Sequence, residues 1–240
     1  MAGLLLLATA LPSLASAQVM GDGFLFGQPR ASLSVRGGFA QPNARSAVFD
    51  FTDSLMMGNN GFGGVSLATD LGIRITERFD VQLSTGFMSR RVDSEFRDFV
   101  DNDDRPIEQY TSLRRIPMTA GVKYRLTSPG RSLSRLAWIP AKFVPYVGAG
   151  GGMMYYSFKQ EGDFVDFQTL DVFAEKLESK SFAPTAYAHA GFDYSLNPRF
   201  SIVSDARYDY ARTAMGRDFE DFDAIDLSGV SLSVGFGVRF

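Results

Sequence analysis

The chain has 240 residues, a formal net charge of -3, 24 glycines, 22 phenylalanines, one histidine and no cysteine. This excludes disulfides, thiolate metal sites and cysteine nucleophiles, and it lacks the basic surplus of a nucleic-acid-binding protein. The length suits one domain, and a mean hydropathy of -0.04 is the average expected when apolar and polar residues alternate along strands.

The first segment reads as a leader. Leu4 to Leu14 is apolar except for Thr9, Pro12 and Ser13, and it runs into Ala15-Ser16-Ala17, a small-x-small cleavage signal, before Gln18. The run is too short to cross a bilayer, which fits a signal peptide over residues 1–17. No Lys or Arg precedes it, and the competing reading is a buried N-terminal helix. Residues 18–30 are then an N-terminal periplasmic segment and residues 31–240 the folded domain. Past the leader, no stretch reaches about 18 consecutive apolar residues. Membrane insertion of the mature chain therefore requires a closed β-barrel.

Period-two alternation supplies the strands. The first, about Ala31–Phe39, sets Leu33, Val35 and Phe39 against Ser34, Arg36 and Gly38. In the second, Val65, Leu67, Leu71, Ile73 and Ile75 oppose Ser66, Asp70, Gly72 and Arg74, and a turn at Thr76–Arg78 follows. The third sets Phe79, Val81, Leu83, Thr85 and Phe87 against Asp80, Gln82, Ser84 and Gly86. The fourth alternates Ile116, Met118, Ala120, Val122, Tyr124 and Leu126 with Arg115, Thr119, Gly121, Lys123 and Arg125. The glycine-rich run Phe143–Tyr156 is ambiguous in phase. Placing Val147, Ala149, Met153 and Tyr155 outward leaves Gly148, Gly150 and Gly152 as a thin inner wall. The sixth strand alternates Ala186, Ala188, Ala190, Phe192 and Tyr194 with Thr185, Tyr187, His189, Gly191 and Asp193. Asn197-Pro198 turns the chain into Phe200, Ile202, Ala206, Tyr208 and Tyr210, opposed by Ser201, Asp205, Arg207 and Asp209. The last strand is the clearest: Val230, Leu232, Val234, Phe236, Val238 and Phe240 against Ser231, Ser233, Gly235, Gly237 and Arg239.

These are eight strands of about 9–11 residues, the length that a tilted strand needs to cross a bilayer. Links after strands two and six are short. Those after strands one, three, five and seven (40–62, 90–110, 157–181, 212–226) are long, the asymmetry of periplasmic turns and external loops. The link Thr127–Lys142 is too long for this rule, and its Leu133, Leu136 and Trp138 suit an interfacial position. Aromatics gather at strand ends, with Phe79, Tyr124, Tyr194, Phe200 and Phe240 at one rim and Phe87, Tyr155, Tyr208 and Tyr210 at the other, as in two interfacial belts.

With its leader, alternating strands and terminal Val-Ser-Leu-Ser-Val-Gly-Phe-Gly-Val-Arg-Phe, the chain over about residues 25–240 resembles the small OmpA/OmpX-type bacterial outer-membrane β-barrel family. The resemblance implies an all-β, eight-stranded antiparallel up-and-down transmembrane barrel in the cell outer membrane. It also implies that Phe240 belongs to the C-terminal signal read by the barrel-assembly machinery, and that no peptidoglycan-binding domain follows. Expected partners are outer-membrane lipids and lipopolysaccharide, with no nucleic acid, and the barrel is expected to be a monomer.

An eight-stranded barrel is filled by its own side chains or holds one small ligand. The inward phase predicts a lumen network of Arg36, Asp70, Arg74, Asp80, Lys123, Arg125, His189, Asp193, Asp205, Arg207, Asp209 and Arg239. Buried charges must pair, so the mixed signs predict a salt-bridged plug rather than a narrow charged pore. His189 with Asp193 or a nearby serine is the one hint of acyl-transfer chemistry, but its inward phase keeps it from lipid. No enzyme, cofactor or metal site is expected. The acidic runs Asp98, Asp101, Asp103, Asp104 and Asp218, Glu220, Asp221, Asp223, Asp226 read as solvated loop charge rather than divalent-cation sites. Phe96, Phe99, Phe219 and Phe222 read as packing over the barrel mouth. The function expected is structural or surface-interacting. A small channel is the alternative, followed by a soluble lipocalin-like barrel with the apolar face turned inward.

Overall fold

The computed structural model describes residues 27–43, 46–49, 61–100, 106–134, 137–165, 172–219 and 222–240. The leader, residues 18–26, Leu136, Asp101, Asp103, Asp104, Glu220 and Asp221 lie outside the described residues, as do the side chains of Phe96, Asp98 and Phe99.

Eight long strands form the wall: β1 Ala31–Pro42, β2 Gly64–Arg74, β3 Phe79–Val100, β4 Pro106–Arg125, β5 Phe143–Val165, β6 Val172–Ser195, β7 Phe200–Thr213 and β8 Gly229–Arg239. Each pairs antiparallel with its neighbours, and β8 returns to β1 in register from Ser32↔Arg239 to Pro42↔Gly229. Closure removes both sheet edges, so every strand finds hydrogen-bonding partners within the wall. Between β3 and β4 the ladder skips from Thr85↔Met118 to Met88↔Arg115. Pro117 sits in that gap, with no N–H to donate.

The apolar phase faces outward. Val65 is 74% and Phe236 67% exposed, while Asp70 and Asp205 on the opposite face are buried. This excludes the lipocalin-like arrangement, in which the same valines, leucines and phenylalanines would line a cavity. Exposed Phe79, Tyr194, Phe200 and Phe240 ring the short-turn end, where the Tyr124 ring lies 4.8 Å from that of Phe79. Phe87, Phe182, Tyr208 and Tyr210 ring the other end. Phe79 and Phe87 are separated by roughly 26 Å of strand, the scale of a tilted crossing of an apolar band.

Side chains close the two tight turns. Thr76 Oγ1 accepts from Phe79 N at 3.1 Å, and Asn197 Oδ1 accepts from Arg199 N at 2.9 Å and Phe200 N at 2.7 Å, the mechanism by which Asn and Thr favour turns.

Two expectations about the links need correction. Residues 90–100, 106–110, 157–165 and 172–181 are strand, not loop. β3, β4, β5 and β6 run 22, 20, 23 and 24 residues, so their hairpins continue past the aromatic belt as a four-stranded sheet. Backbone pairing persists after the apolar face ends, and a hydropathy pattern does not see it. The link Thr127–Lys142 forms a small hairpin of its own, Gly130–Ser134 against Ala137–Pro140, with Trp138 buried and Leu133 exposed.

Candidate functional site: the closed lumen

The inward residues of all eight strands meet along the barrel axis in successive layers. At the short-turn end Arg125 grips Asp80 with both guanidinium ends, Nη1 donating to Oδ1 at 2.6 Å and Nη2 to Oδ2. Arg74 approaches the same carboxylate only to 3.9 Å. Arg239 donates from Nη1 to Ser195 Oγ at 2.8 Å. One layer in, Lys123 Nζ donates to both oxygens of Asp193 at 3.1 Å and lies 3.6 Å from the centroid of the Tyr146 ring.

The centre is a branched bridge on Arg36. Its Nη2 donates to Asp70 and its Nη1 reaches Asp205 Oδ1 at 2.8 Å. Asp205 Oδ2 accepts from Tyr146 OH at 2.9 Å and bonds His189 Nδ1 at 2.8 Å. All five side chains are buried. The bridge joins β1, β2, β5, β6 and β7 across the bore. Buried charges arranged this way satisfy one another, whereas any one left alone would cost several kcal/mol.

Glycines make the space. An added Cβ at Gly148 would lie 2.1 Å from His189 Nε2, and one at Gly191 would lie 2.7 Å from Tyr146 OH. The glycine run of β5 is thus the thin wall expected, and it is thin because β5 and β6 place Tyr146, Tyr187 and His189 in one cross-section.

Above the bridge, Arg207 donates from Nε and Nη2 to Asp209 Oδ1 at 2.9 and 2.7 Å and stacks 3.8 Å from the Tyr187 ring centroid. Arg115 is buried beside them, and its Nε and Nη1 have no hydrogen-bond partner. Its phase was legible in β4, but its place in this layer was not. Tyr146, the acceptor-side anchor for Lys123 and donor to Asp205, was also missed, because the glycine run around it obscures the alternation. A cavity of about 60 Å³ lies above the bridge and one of about 30 Å³ below it, enough for a few waters each.

The outermost layer departs from the expected polar bore. Leu113, Met154, Tyr156, Phe158, Ala183 and Ala211 point inward from the wall and pack against Val48, Phe49 and Phe62 of the first long link and Phe219, Ile225 and Leu227 of the last. The Phe49 ring lies 5.1 Å from Phe62 and 5.8 Å from Phe158, and Phe158 lies 5.5 Å from Phe219. This is a hydrophobic core set in the barrel mouth, with Phe222 packed against it. Asp223 and Asp226 are part of its frame: Asp223 Oδ1 accepts from Ala47 N at 3.0 Å, and Asp226 accepts from Ser228 N at 2.9 Å and Arg212 Nη2 at 3.2 Å.

His189 is held within the central bridge. It has an acid partner in Asp205, not Asp193, and no hydroxyl hydrogen-bonds its buried Nε2 among the described residues. No cluster of three His, Asp or Glu side chains suited to a metal occurs among the described residues.

Known proteins agree with this architecture. No curated protein matches the chain. Among solved structures, Neisserial surface protein A shares 13% identity, with 88% of this chain and 97% of that one covered and a TM-score of 0.50. OprG from Pseudomonas aeruginosa shares 16% over 89% and 98%, at a TM-score of 0.47, and outer membrane protein W of E. coli shares 16% over 90% and 100%, at 0.42. At 13% identity the likeness to Neisserial surface protein A shows the fold alone. The model of the outer membrane protein beta-barrel domain matches residues 3–240. A closed eight-stranded wall, greasy outside and charged within, accords with that match, and the chain belongs to this family of outer-membrane β-barrels.

Proposed function

We propose that this protein is a monomeric, non-catalytic outer-membrane barrel with a structural and surface-interaction role, and that its lumen does not conduct. The observation that carries this reading is the double closure of the bore: the Arg36 bridge across the centre and the apolar core in the outer mouth. The cavities on either side of the bridge are small, and a continuous water file would have to break buried ion pairs.

The outer hairpins support the surface role. Just beyond the outer aromatic belt, Arg91, Arg114, Lys159 and Lys180 lie on the outward phase of β3 to β6, the height at which lipopolysaccharide presents phosphate. The same face carries a charged ladder that includes two of these: Arg91 over Tyr110 at 3.6 Å, Lys176 to Glu161 at 3.0 Å and Lys159 to Glu178 at 2.9 Å. Hydrogen bonds from Tyr110 and then Lys176 hold the exposed Glu161 carboxyl below its ordinary range, so this surface stays ionised. Lipopolysaccharide and the barrel-assembly machinery, the latter reading the strand that ends at Phe240, are the partners we assign.

Planar-bilayer recording of the purified, folded chain tests the closed lumen. No resolvable current is expected. A stable ion-selective conductance would replace this reading with that of a small channel.

A further inference from the structure

At the short-turn, periplasmic end of the lumen, the residues lining the opening carry more positive charge than the acid among them neutralises. Arg30, Arg74, Arg125 and Arg239 line one small opening, and Asp80 is the single carboxylate among the residues lining it. Both oxygens of Asp80 are taken by Arg125. Lys123, one layer in, is matched by Asp193. Arg30, which is exposed, Arg74 and Arg239 remain. Arg74 has a buried Nε and Nη1 without hydrogen-bond partners among the described residues and stands 3.9 Å from the occupied carboxylate. Arg239, buried, has a hydroxyl partner in Ser195 and no ion pair among the described residues.

The strand register sets a gap between these two arginines. Ser32 of β1 lies opposite both Arg239 of β8 and Gly72 of β2, and Arg74 follows Gly72 on the same face. A Cβ at Gly72 would come within 2.8 Å of Ser32 Oγ and 3.8 Å of Asp80 Oδ2. Small residues thus separate two guanidinium groups that have donors to spare. Guanidinium forks match the oxygens of phosphate-class anions, and the surplus charge sits where field lines from the periplasm enter a low-dielectric bore.

We propose that the periplasmic mouth of the lumen is a binding site for a phosphate-class oxyanion, held by Arg74 and Arg239 across the gap at Ser32 and Gly72. The anion comes either from free phosphate in the periplasm or from a phospholipid headgroup of the inner leaflet. Arg125 stays on Asp80 and frames the site without supplying its free donors.

The test is a titration of the full chain, folded in phospholipid-free detergent, with inorganic phosphate, following the arginine Nε–H resonances by NMR. Saturable shifts of the Arg74 and Arg239 signals are expected. The double variant R74Q/R239Q should weaken the affinity by about tenfold or more, and R74K, which keeps charge but loses the fork, by less. The heat-modifiable gel shift reports folding of each variant. Should R239Q fail to fold, R74Q alone and S32V, which fills the gap, carry the same expectation. In phospholipid nanodiscs, persistence of the titration points to free phosphate. Arginine signals already at their bound positions, and unresponsive to added phosphate, point to a headgroup. Shifts that do not saturate, or an affinity unchanged in R74Q and S32V, overturn the proposal.

Discussion

Arg36 and Gly148 show how single positions decide how the lumen packs. Arg36 neutralises Asp70 and Asp205 at once, so R36A leaves two buried carboxylates without their counter-ion. Such a change costs about 3–5 kcal/mol, read as a lower midpoint for loss of the compact band on heating in detergent. An unchanged midpoint would show that water already screens the bridge. At Gly148 the constraint is steric. A side chain there meets His189 Nε2 at 2.1 Å and the Val122 carbonyl at 2.5 Å, and since the carbonyl is backbone, rotating His189 away relieves only half the clash. We expect G148V to destabilise the barrel by about 1–3 kcal/mol and to move the His189 ring resonances. Similar stability and ring shifts in the variant would refute this. These residues differ in legibility. Arg36 sits in an unbroken alternation and its inward direction can be read directly, whereas the function of Gly148 depends on which β6 residue faces it, a matter of register.

Among the elements, the outer cap and the long hairpins were the least legible. Leu113, Met154 and Phe158 occupy the inward phase that elsewhere carries charge. Their partners Phe49, Phe62, Phe219 and Leu227 lie in aperiodic links, and only the return of those links into the mouth joins them. F158A removes a fully buried ring from this cluster. It should cost the cap about 3–5 kcal/mol while leaving the wall intact, so the links should become protease-sensitive and the gel shift should remain. Cleavage rates equal to the parent's would mean that the links are held by their backbone bonds. The cap also has a pH dependence. Burial pushes the Asp226 carboxyl up, but bonds from Ser228 and Arg212 outweigh it, and the group sits below its ordinary range. A depressed carboxyl stabilises the fold above its unfolded value of about 3.9, and that contribution is lost as the pH falls through the folded value. The protection factor of the Leu227 amide, bonded to Ala211 O at 2.9 Å, should therefore fall on acidification below about pH 4. The loss of protection should shrink in D226N, which has no carboxylate to titrate.

At the scale of the whole molecule, closure of the wall depends on its two terminal strands meeting. The strand that closes the barrel ends beside its beginning: Phe240 N donates to Ala31 O at 2.9 Å, and Phe240 O accepts from Ala31 N at 2.8 Å. Since the backbone makes these bonds, F240A should refold normally in detergent. If the side chain is the assembly signal, the same variant should be depleted from the outer membrane of cells, as measured by fractionation and blotting. Equal outer-membrane levels would remove Phe240 from that role.

The sequence by itself determined the eight crossings, because a bilayer demands one apolar and one polar face on each strand and this leaves a period-two record in every crossing from Leu33 to Phe240. It also marked the lumen charges and the short turns, where Thr76 and Asn197 act on neighbouring backbone. Only the tertiary structure decided which face lies inside, how far β3 to β6 rise past the belt, and what closes the outer mouth. Closure into a ring sets the first. The second rests on backbone pairing that is blind to side-chain polarity, and the third on contacts between links far apart in the chain, which no local pattern records.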